Sequence, residues 1–294
     1  MSSMKLEKLQ PKRFKEFKQI LKSKKMSHAY LFSGDFASFD MALYLAKSRF
    51  CENLQDNLPC GVCRECRLIE QEEFSDVKII RPIGQIIKTE TIKTLMRDFS
   101  RSGFEGKNQV FIIDGCEKLH PNAANSLLKY IEEPQSSSYM ILLTSDDSKV
   151  LPTIKSRTQV FQFPKNRLLL VEQAEKSGLL KSQANILSDL AKTPSHLEEL
   201  IQNKKRLDLI QVVERFIDVL FKDELLAYLE AAWMVRLAND KDEQEFIFQV
   251  LTILLAGRFN HEQSLSYLKK TYKAHLMWQS NVSFQNAIEY MVIS

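Results

Sequence analysis

No apolar run in the 294 residues approaches the roughly 20 that a bilayer crossing takes, so no membrane-spanning helix is expected. Met1 to Gln10 is polar and lacks the apolar core of a signal peptide. The expected location is therefore the cytoplasm, where disulfides are rare. Neither sign of charge prevails: 41 Lys and Arg face 37 Asp and Glu, a net of +4, which argues against a protein that coats nucleic acid unaided. Beyond Pro194 there is no proline, and Gly257 is the only glycine, so little in the C-terminal third interrupts a helix. Internal repeats and low-complexity segments are absent as well. What remains is the balance of a soluble globular chain, 44% hydrophobic and 27% charged, and long enough for two or three domains.

The first half alternates apolar runs with helical patterns, which predicts a parallel sheet with helices on both faces. The runs are Ala29 to Ser33, Val77 to Arg81, Val110 to Asp114, Met140 to Thr144 and Thr158 to Phe163. Two of them end at Gly34 and Asp114, at the carboxyl edge where open α/β sheets hold ligands. After Pro164 the strand signal stops. Apolar stripes at three- and four-residue spacing then predict a helical bundle: Leu207, Ile210, Val213, Ile217 and Leu220, next Leu225, Leu229, Trp233 and Leu237, and later Leu265, Leu268 and Tyr272. At the N-terminus, Lys5, Lys8, Lys12, Arg13, Lys15, Lys18, Lys22, Lys24 and Lys25 are interleaved with Leu6, Leu9, Phe14, Phe17 and Leu21. We read this segment as the solvated face of an amphipathic helix in preference to a DNA contact.

Four of the five cysteines fall together as Cys51-x8-Cys60-x2-Cys63-x2-Cys66. Thiolates two residues apart can turn back on one metal, and four of them close a tetrahedral shell around structural Zn2+. Gly61 permits the tight turn of such a knuckle. With every position filled by protein, no coordination site is left for water or substrate. Cys116 stands apart and reads as a small core residue.

Tyr30-Leu31-Phe32-Ser33-Gly34 is a strand running into a turn, where a phosphate loop would begin. A working loop, G-x-x-x-x-G-K-[ST], needs a second glycine for backbone approach, a lysine for charge and a hydroxyl for magnesium. Counted from Gly34, those places hold Phe39, Asp40 and Met41. Phe39 obstructs the cradle, Asp40 repels phosphate and Met41 offers magnesium nothing. Val110 to Asp114 is like the second motif of P-loop enzymes, yet Gly115 stands where the catalytic glutamate belongs.

Five blocks carry a resemblance: His28 to Gly34, the four cysteines, Ile112-Ile113-Asp114, Ala124 to Pro134, and Leu151 to Thr158. Together they resemble the clamp-loader branch of the AAA+ ATPases, in the part of it that serves bacterial DNA polymerase III. The resemblance spans residues 28 to 163, with the helical remainder similar in layout. Thr158 departs from it, since a cysteine is usual there. It implies an α/β RecA-like (AAA+) domain over 1–164 with a zinc insertion at 51–66, a small helical lid over 165–202 and an all-α collar over 203–294. It further implies that Arg157, beside Ser156, is aimed at the ATP of a neighbouring subunit, where a guanidinium stabilises charge developing at the γ-phosphate. Active relatives place a sensing arginine at the start of a lid helix, and none occurs near Pro194-Ser195-His196.

The resulting expectation is a non-hydrolysing, stator-like subunit that binds structural zinc and no ATP, and that is no enzyme by itself. Implied partners are the gamma/tau ATPase subunits and a delta subunit, with the sliding clamp and primer-template DNA met through the assembled complex. An active ATPase subunit, and a zinc-containing DNA-binding or repair regulator on an AAA+ frame, are the alternatives. Lys88, Lys93, Arg97 and Arg101 either face DNA inside a ring or are simply solvated. Trp233, Tyr272 and Trp278 are candidate interface anchors.

Overall fold

A computed structural model describes residues 3–99, 108–133 and 137–293. The chain divides into two compact units, Met1–Asn166 and Arg167–Ser294. None of the described helices is long and apolar enough to cross a membrane.

The first unit opens with α1 (Ser3–Leu9) and α2 (Pro11–Lys22), then β1 (Ala29–Ser33), α3 (Ser38–Phe50) and α4 (Arg64–Glu70). It continues through β2 (Val77–Ile80), α5 (Thr89–Phe99), β3 (Gln109–Ile113), α6 (Pro121–Glu132), β4 (Ser138–Thr144), α7 (Pro152–Lys155) and β5 (Gln159–Gln162). All five strands lie where the apolar runs predict them. They form one parallel sheet in the order β2-β3-β4-β1-β5. Every residue of β1 and β3 is buried, which is why these strands read as continuous apolar runs instead of alternating ones. Alternate residues feed opposite faces. Leu31, Phe111, Ile113, Met140 and Leu142 pack with Ile92 and Leu95 of α5 and Leu127 and Ile131 of α6.

The other face is held by α2. Phe17 is fully buried there, with its ring 5.7 Å from Tyr30, 5.3 Å from Phe32 and 4.5 Å from Phe161. Cys116 joins the core as expected, and burial pushes its thiol pKa up. On α5, Lys88 precedes the helix and Lys93 and Arg97 are exposed along it, while Arg101 lies outside the described residues.

The second unit is entirely helical: α8 (Arg167–Lys176), α9 (Lys181–Leu190), α10 (Pro194–Gln202), α11 (Lys204–Leu220), α12 (Glu224–Leu237), α13 (Lys241–Gly257), α14 (Ser264–Gln279) and α15 (Phe284–Ile293). Side-chain caps start α11, α12 and α13. Asp223 accepts from the amides of Leu225 and Leu226 at 2.9 and 3.1 Å, and Asp240 accepts from Glu243 at 2.8 Å. On α11 the stripe Ile210, Val213, Ile217 and Leu220 is buried as its spacing predicts.

On α12 the bundle-facing residues differ from the expected stripe. Ala227, Ala231 and Met234 are buried, whereas Leu225, Leu229 and Trp233 are 83%, 65% and 48% exposed. On α14, Tyr267, Thr271 and Ala274 are buried while Leu265, Tyr272 and Leu276 face out. On both helices alanine or threonine lies among the buried residues while several large apolar side chains meet solvent. Trp278 is instead used internally, packing on Phe248 and donating to Gln244 Oε1 at 2.8 Å.

Phe17→Ala removes the ring that fixes α2 to the sheet. It is expected to destabilise the first unit by about 3–5 kcal/mol, read as a lowered denaturant midpoint.

Candidate functional site

At the carboxyl end of β1 the turn that would cradle phosphate is packed shut. Gly34 has φ +105°, and a Cβ there would lie 2.3 Å from the Phe163 carbonyl oxygen. Its amide donates to the Thr144 carbonyl at 2.8 Å, while the Phe163 amide donates to Ser33 at 2.6 Å. Glycine is therefore required by the close passage of β5, whether or not a phosphate binds. The following residues turn inward: Phe36, Ala37, Ser38 and Met41 are all buried. Gln10, itself buried, reaches across and donates to the carbonyls of Phe36 at 2.9 Å and Pro164 at 2.8 Å.

The substituted positions of the loop lie in the first turns of α3. Burial raises the Asp40 carboxyl pKa, with Lys5 and Lys47 opposing that shift. The Arg81 guanidinium sits 4.9 Å from the centre of the Phe39 ring. The same guanidinium grips Glu72 through two bonds of 2.6 and 2.8 Å, and its Nε lies 3.4 Å from Asp114 Oδ2. The bonds to Glu72 raise the Arg81 pKa, and those from Arg81 lower that of Glu72. A protein cation thus stands beside the carboxylate that corresponds to the second motif. Gly115 has φ +74°, the left-handed region that a glutamate enters only with strain.

Arg157 follows α7 on the same unit. Its Nε donates to Glu132 Oε1, and its Nη1 lies 3.2 Å from the Thr153 carbonyl and 3.3 Å from Ser156 Oγ. The side chain remains 38% exposed, and no described residue engages Nη2. A half-exposed guanidinium is held at Nε and Nη1, which leaves Nη2 as the donor without a described partner. In the second unit, α10 begins at Pro194 with the Thr193 hydroxyl accepting from the His196 amide at 3.1 Å, and no arginine lies on that helix.

The four cysteines converge. Cys51 ends α3, Cys60 lies in the loop, Cys63 precedes α4 and Cys66 sits in its first turn. Their sulfurs all lie within 4.8 Å of one another, and Cys51 and Cys63 are 3.9 Å apart. Tetrahedral zinc–thiolate bonds place sulfurs about 3.8 Å apart, so the donor set fits that ion. The amides of Val62 and Cys63, each 3.4 Å from its sulfur, lower the Cys60 thiol pKa to about 6. Gly61 between them has φ +76°. Buried Lys47 of α3 also pairs with Glu70 of α4, a second tie between the helices that the cysteines join.

Residues 9–167 match the family described as DNA polymerase III, delta subunit. The delta-prime subunit of Bacillus subtilis (strain 168) is 30% identical over 292 residues, covering 95% of this chain and 88% of that protein. This chain belongs to the delta-prime family of DNA polymerase III clamp-loader subunits. Escherichia coli (strain K12) subunit tau is also similar, 36% identical over 151 residues, but that stretch covers 51% of this chain and 23% of tau. In fold, a DNA polymerase III gamma subunit-related protein from Thermotoga maritima matches 95% of this chain and 96% of its own, with a TM-score of 0.50 and 16% identity.

For this delta-prime family member, sequence spacing names the four cysteines and the substituted loop positions Phe39, Asp40 and Met41. It does not name Gln10, Arg81 or Glu132, because each meets its partner only after the chain folds. Arg81 lies 33 residues from Asp114 in the chain, and parallel pairing of β2 with β3 is what brings them together.

One zinc per chain is expected by elemental analysis of protein purified without chelator. Cys63→Ser should abolish that content and lower the unfolding midpoint of the first unit by about 5 °C or more. Protein that is metal-free as purified would remove the zinc assignment.

Proposed function

We propose that this chain is the non-hydrolysing, stator-like member of the clamp loader, helping to assemble the ring that places sliding clamps on primed DNA. The observation that carries this reading is the filled phosphate cradle. The Gly34 amide is spent on Thr144, Phe36, Ala37, Ser38 and Met41 of the loop are buried, and Arg81 lies beside Asp114. Phosphate needs free amides and a cation aimed at it, and magnesium needs a hydroxyl and an available carboxylate. On this reading the chain binds no ATP, and Gly34, Phe39, Asp40, Met41, Asp114 and Gly115 are remnants of a nucleotide site.

Its catalytic contribution is made to a neighbour. Arg157, with Ser156 beside it, supplies a guanidinium in trans to a gamma/tau ATPase subunit. There it stabilises the charge that develops as the γ-phosphoryl group transfers. Lysine is a poor substitute, because it lacks the planar fork that matches phosphate oxygens. Cys51, Cys60, Cys63 and Cys66 hold structural Zn2+, which ties the end of α3 to the start of α4. Residues 165–202 act as the lid domain and residues 203–294 as the collar. The outward Leu225, Leu229, Trp233 and Tyr272 supply apolar surface for the gamma/tau and delta subunits, consistent with large exposed apolar patches marking interfaces. Clamp and primer-template DNA are met through the assembled cytoplasmic complex.

Two measurements test the catalytic part together. Calorimetric titration of the isolated chain with magnesium-ATP should give no heat of binding, and micromolar affinity would sink the non-hydrolysing reading. Arg157→Ala, reconstituted with wild-type partners, should assemble normally yet lower clamp-stimulated ATP turnover about tenfold or more. Unchanged turnover would leave Arg157 an ordinary surface residue.

The collar has its own test. Leu229→Glu combined with Trp233→Glu should leave the monomer folded, since both side chains are exposed. It should weaken assembly roughly thirtyfold or more, as removal of central apolar anchors does. Size-exclusion chromatography of mixed subunits reads the outcome, and full assembly would place the interface elsewhere.

A further inference from the structure

Positive charge is segregated along this chain. Residues 1–25 hold nine Lys and Arg against two acids, Glu7 and Glu16, a net of +7. Removing those from the totals leaves 32 basic and 35 acidic residues over 26–294, a net of −3. The whole positive excess of the protein therefore sits on α1, α2 and the few residues after them. An asymmetry of this kind is an electrostatic footprint, because like charges within a Debye length of about 8 Å repel one another unless a polyanion covers them.

The fold keeps most of that charge open. On α2, Lys12, Lys15, Gln19 and Lys22 are exposed at three- and four-residue spacing, opposite buried Phe14, Phe17 and Leu21. Glu16 is occupied by Arg13 at 2.6 Å, and Lys22 by Asp56 at 3.1 Å. Among the described residues, no ion pair or hydrogen bond engages the side chains of Lys8, Lys12 or Lys15. Because Phe17 is locked among Tyr30, Phe32 and Phe161, the lysines stand on a rigid platform.

Those features select among polyanions. A membrane-surface helix must keep its apolar face free to enter lipid, and here that face is buried in the core. Single strands are gripped by exposed aromatic rings between the cations, and both aromatic residues of α2 are buried. Eight of these nine residues are lysine, a point charge with no fork to read planar geometry, which suits a contact made by charge alone. The stretch from Lys12 to Lys22 is about 15 Å long at the rise of an α-helix. A duplex presents roughly nine phosphates over such a length.

We propose that the lysine face of α1 and α2 is a sequence-independent docking surface for the phosphate backbone of duplex DNA, borne by this chain alone. It goes beyond the stator reading, which asks for no direct DNA contact, and depends on neither Arg157 nor the filled cradle. The contact is electrostatic, reads no bases and releases counterions from the duplex.

The test is fluorescence anisotropy of a labelled duplex of mixed sequence, titrated with the full chain between about 50 and about 200 mM salt. Lys8→Gln, Lys12→Gln and Lys15→Gln combined should weaken binding roughly tenfold or more at the lower salt. It should also reduce the slope of log K against log salt by about 2.7, or about 0.9 for each phosphate no longer neutralised. The same three positions changed to Arg should retain both affinity and slope, and an unchanged unfolding midpoint shows that the variants are folded. Lys181→Gln, Lys192→Gln and Lys204→Gln combined removes equal charge elsewhere and should leave binding intact. Equal weakening in the two glutamine variants, or none in the first, overturns the proposal. Displacement of the duplex by polyglutamate at matched charge concentration also overturns it, in favour of an acidic protein partner.

Discussion

The contact on which the first unit turns is the passage of the Phe163 carbonyl over Gly34, where not even a Cβ fits. That approach joins β5 to β1 at the carboxyl edge of the sheet through the Phe163 amide, while the Gly34 amide ties β1 to β4 at Thr144. Just beyond it, Phe36 and Met41 enter the core while Asp35 stays exposed. On the proposed reading, a lysine restored at position 40 would not by itself return a phosphate site, because the backbone around Gly34 stays packed.

Charge follows the same division. Where a nucleotide site would need a free cation and an open carboxylate, Arg81 is committed to Glu72, stands beside Asp114 and covers Phe39. Its partially buried charges are paired internally, which is how a protein tolerates ions that no ligand will meet. Arg157 differs in that its Nε and Nη1 are held by Glu132, Thr153 and Ser156 while Nη2 has no described partner. Turnover by a neighbouring subunit separates an arginine used in trans from one paired only with Glu132.

Legibility in the sequence followed the range of each interaction. The five strands were readable because burial on both faces leaves long apolar runs, and the cysteines because their clustering lies in a short stretch of sequence. Phe39 and Asp40 stood out as departures from a phosphate loop because the required residue types are few and their positions are counted from Gly34. Gln10 reaches Pro164 across 154 residues, and Glu132 reaches Arg157 across 25, so neither pairing has a local pattern. The N-terminal lysines were legible as an amphipathic helix, but their neutralisation was not. Only the fold reveals that Glu16 and Asp56 are spent on Arg13 and Lys22.

The helices of the second unit carry the hardest lesson, because spacing alone gives no sense of which face is inside. On α12, Leu225, Leu229 and Trp233 form a strong stripe, and the alanines on another face look like filler. Two helices approach closely only where side chains are small, so Ala227 and Ala231 set the contact with the bundle. The leucines and tryptophan are then left in water, each forgoing about 1.5–3 kcal/mol of burial that an inward position would supply. A helix with this arrangement is apolar nearly all round, the pattern of an element buried on both sides. The bundle covers only one of those sides. That uncovered side is the physical reason that the proposed collar role falls on this unit and not on the sheet.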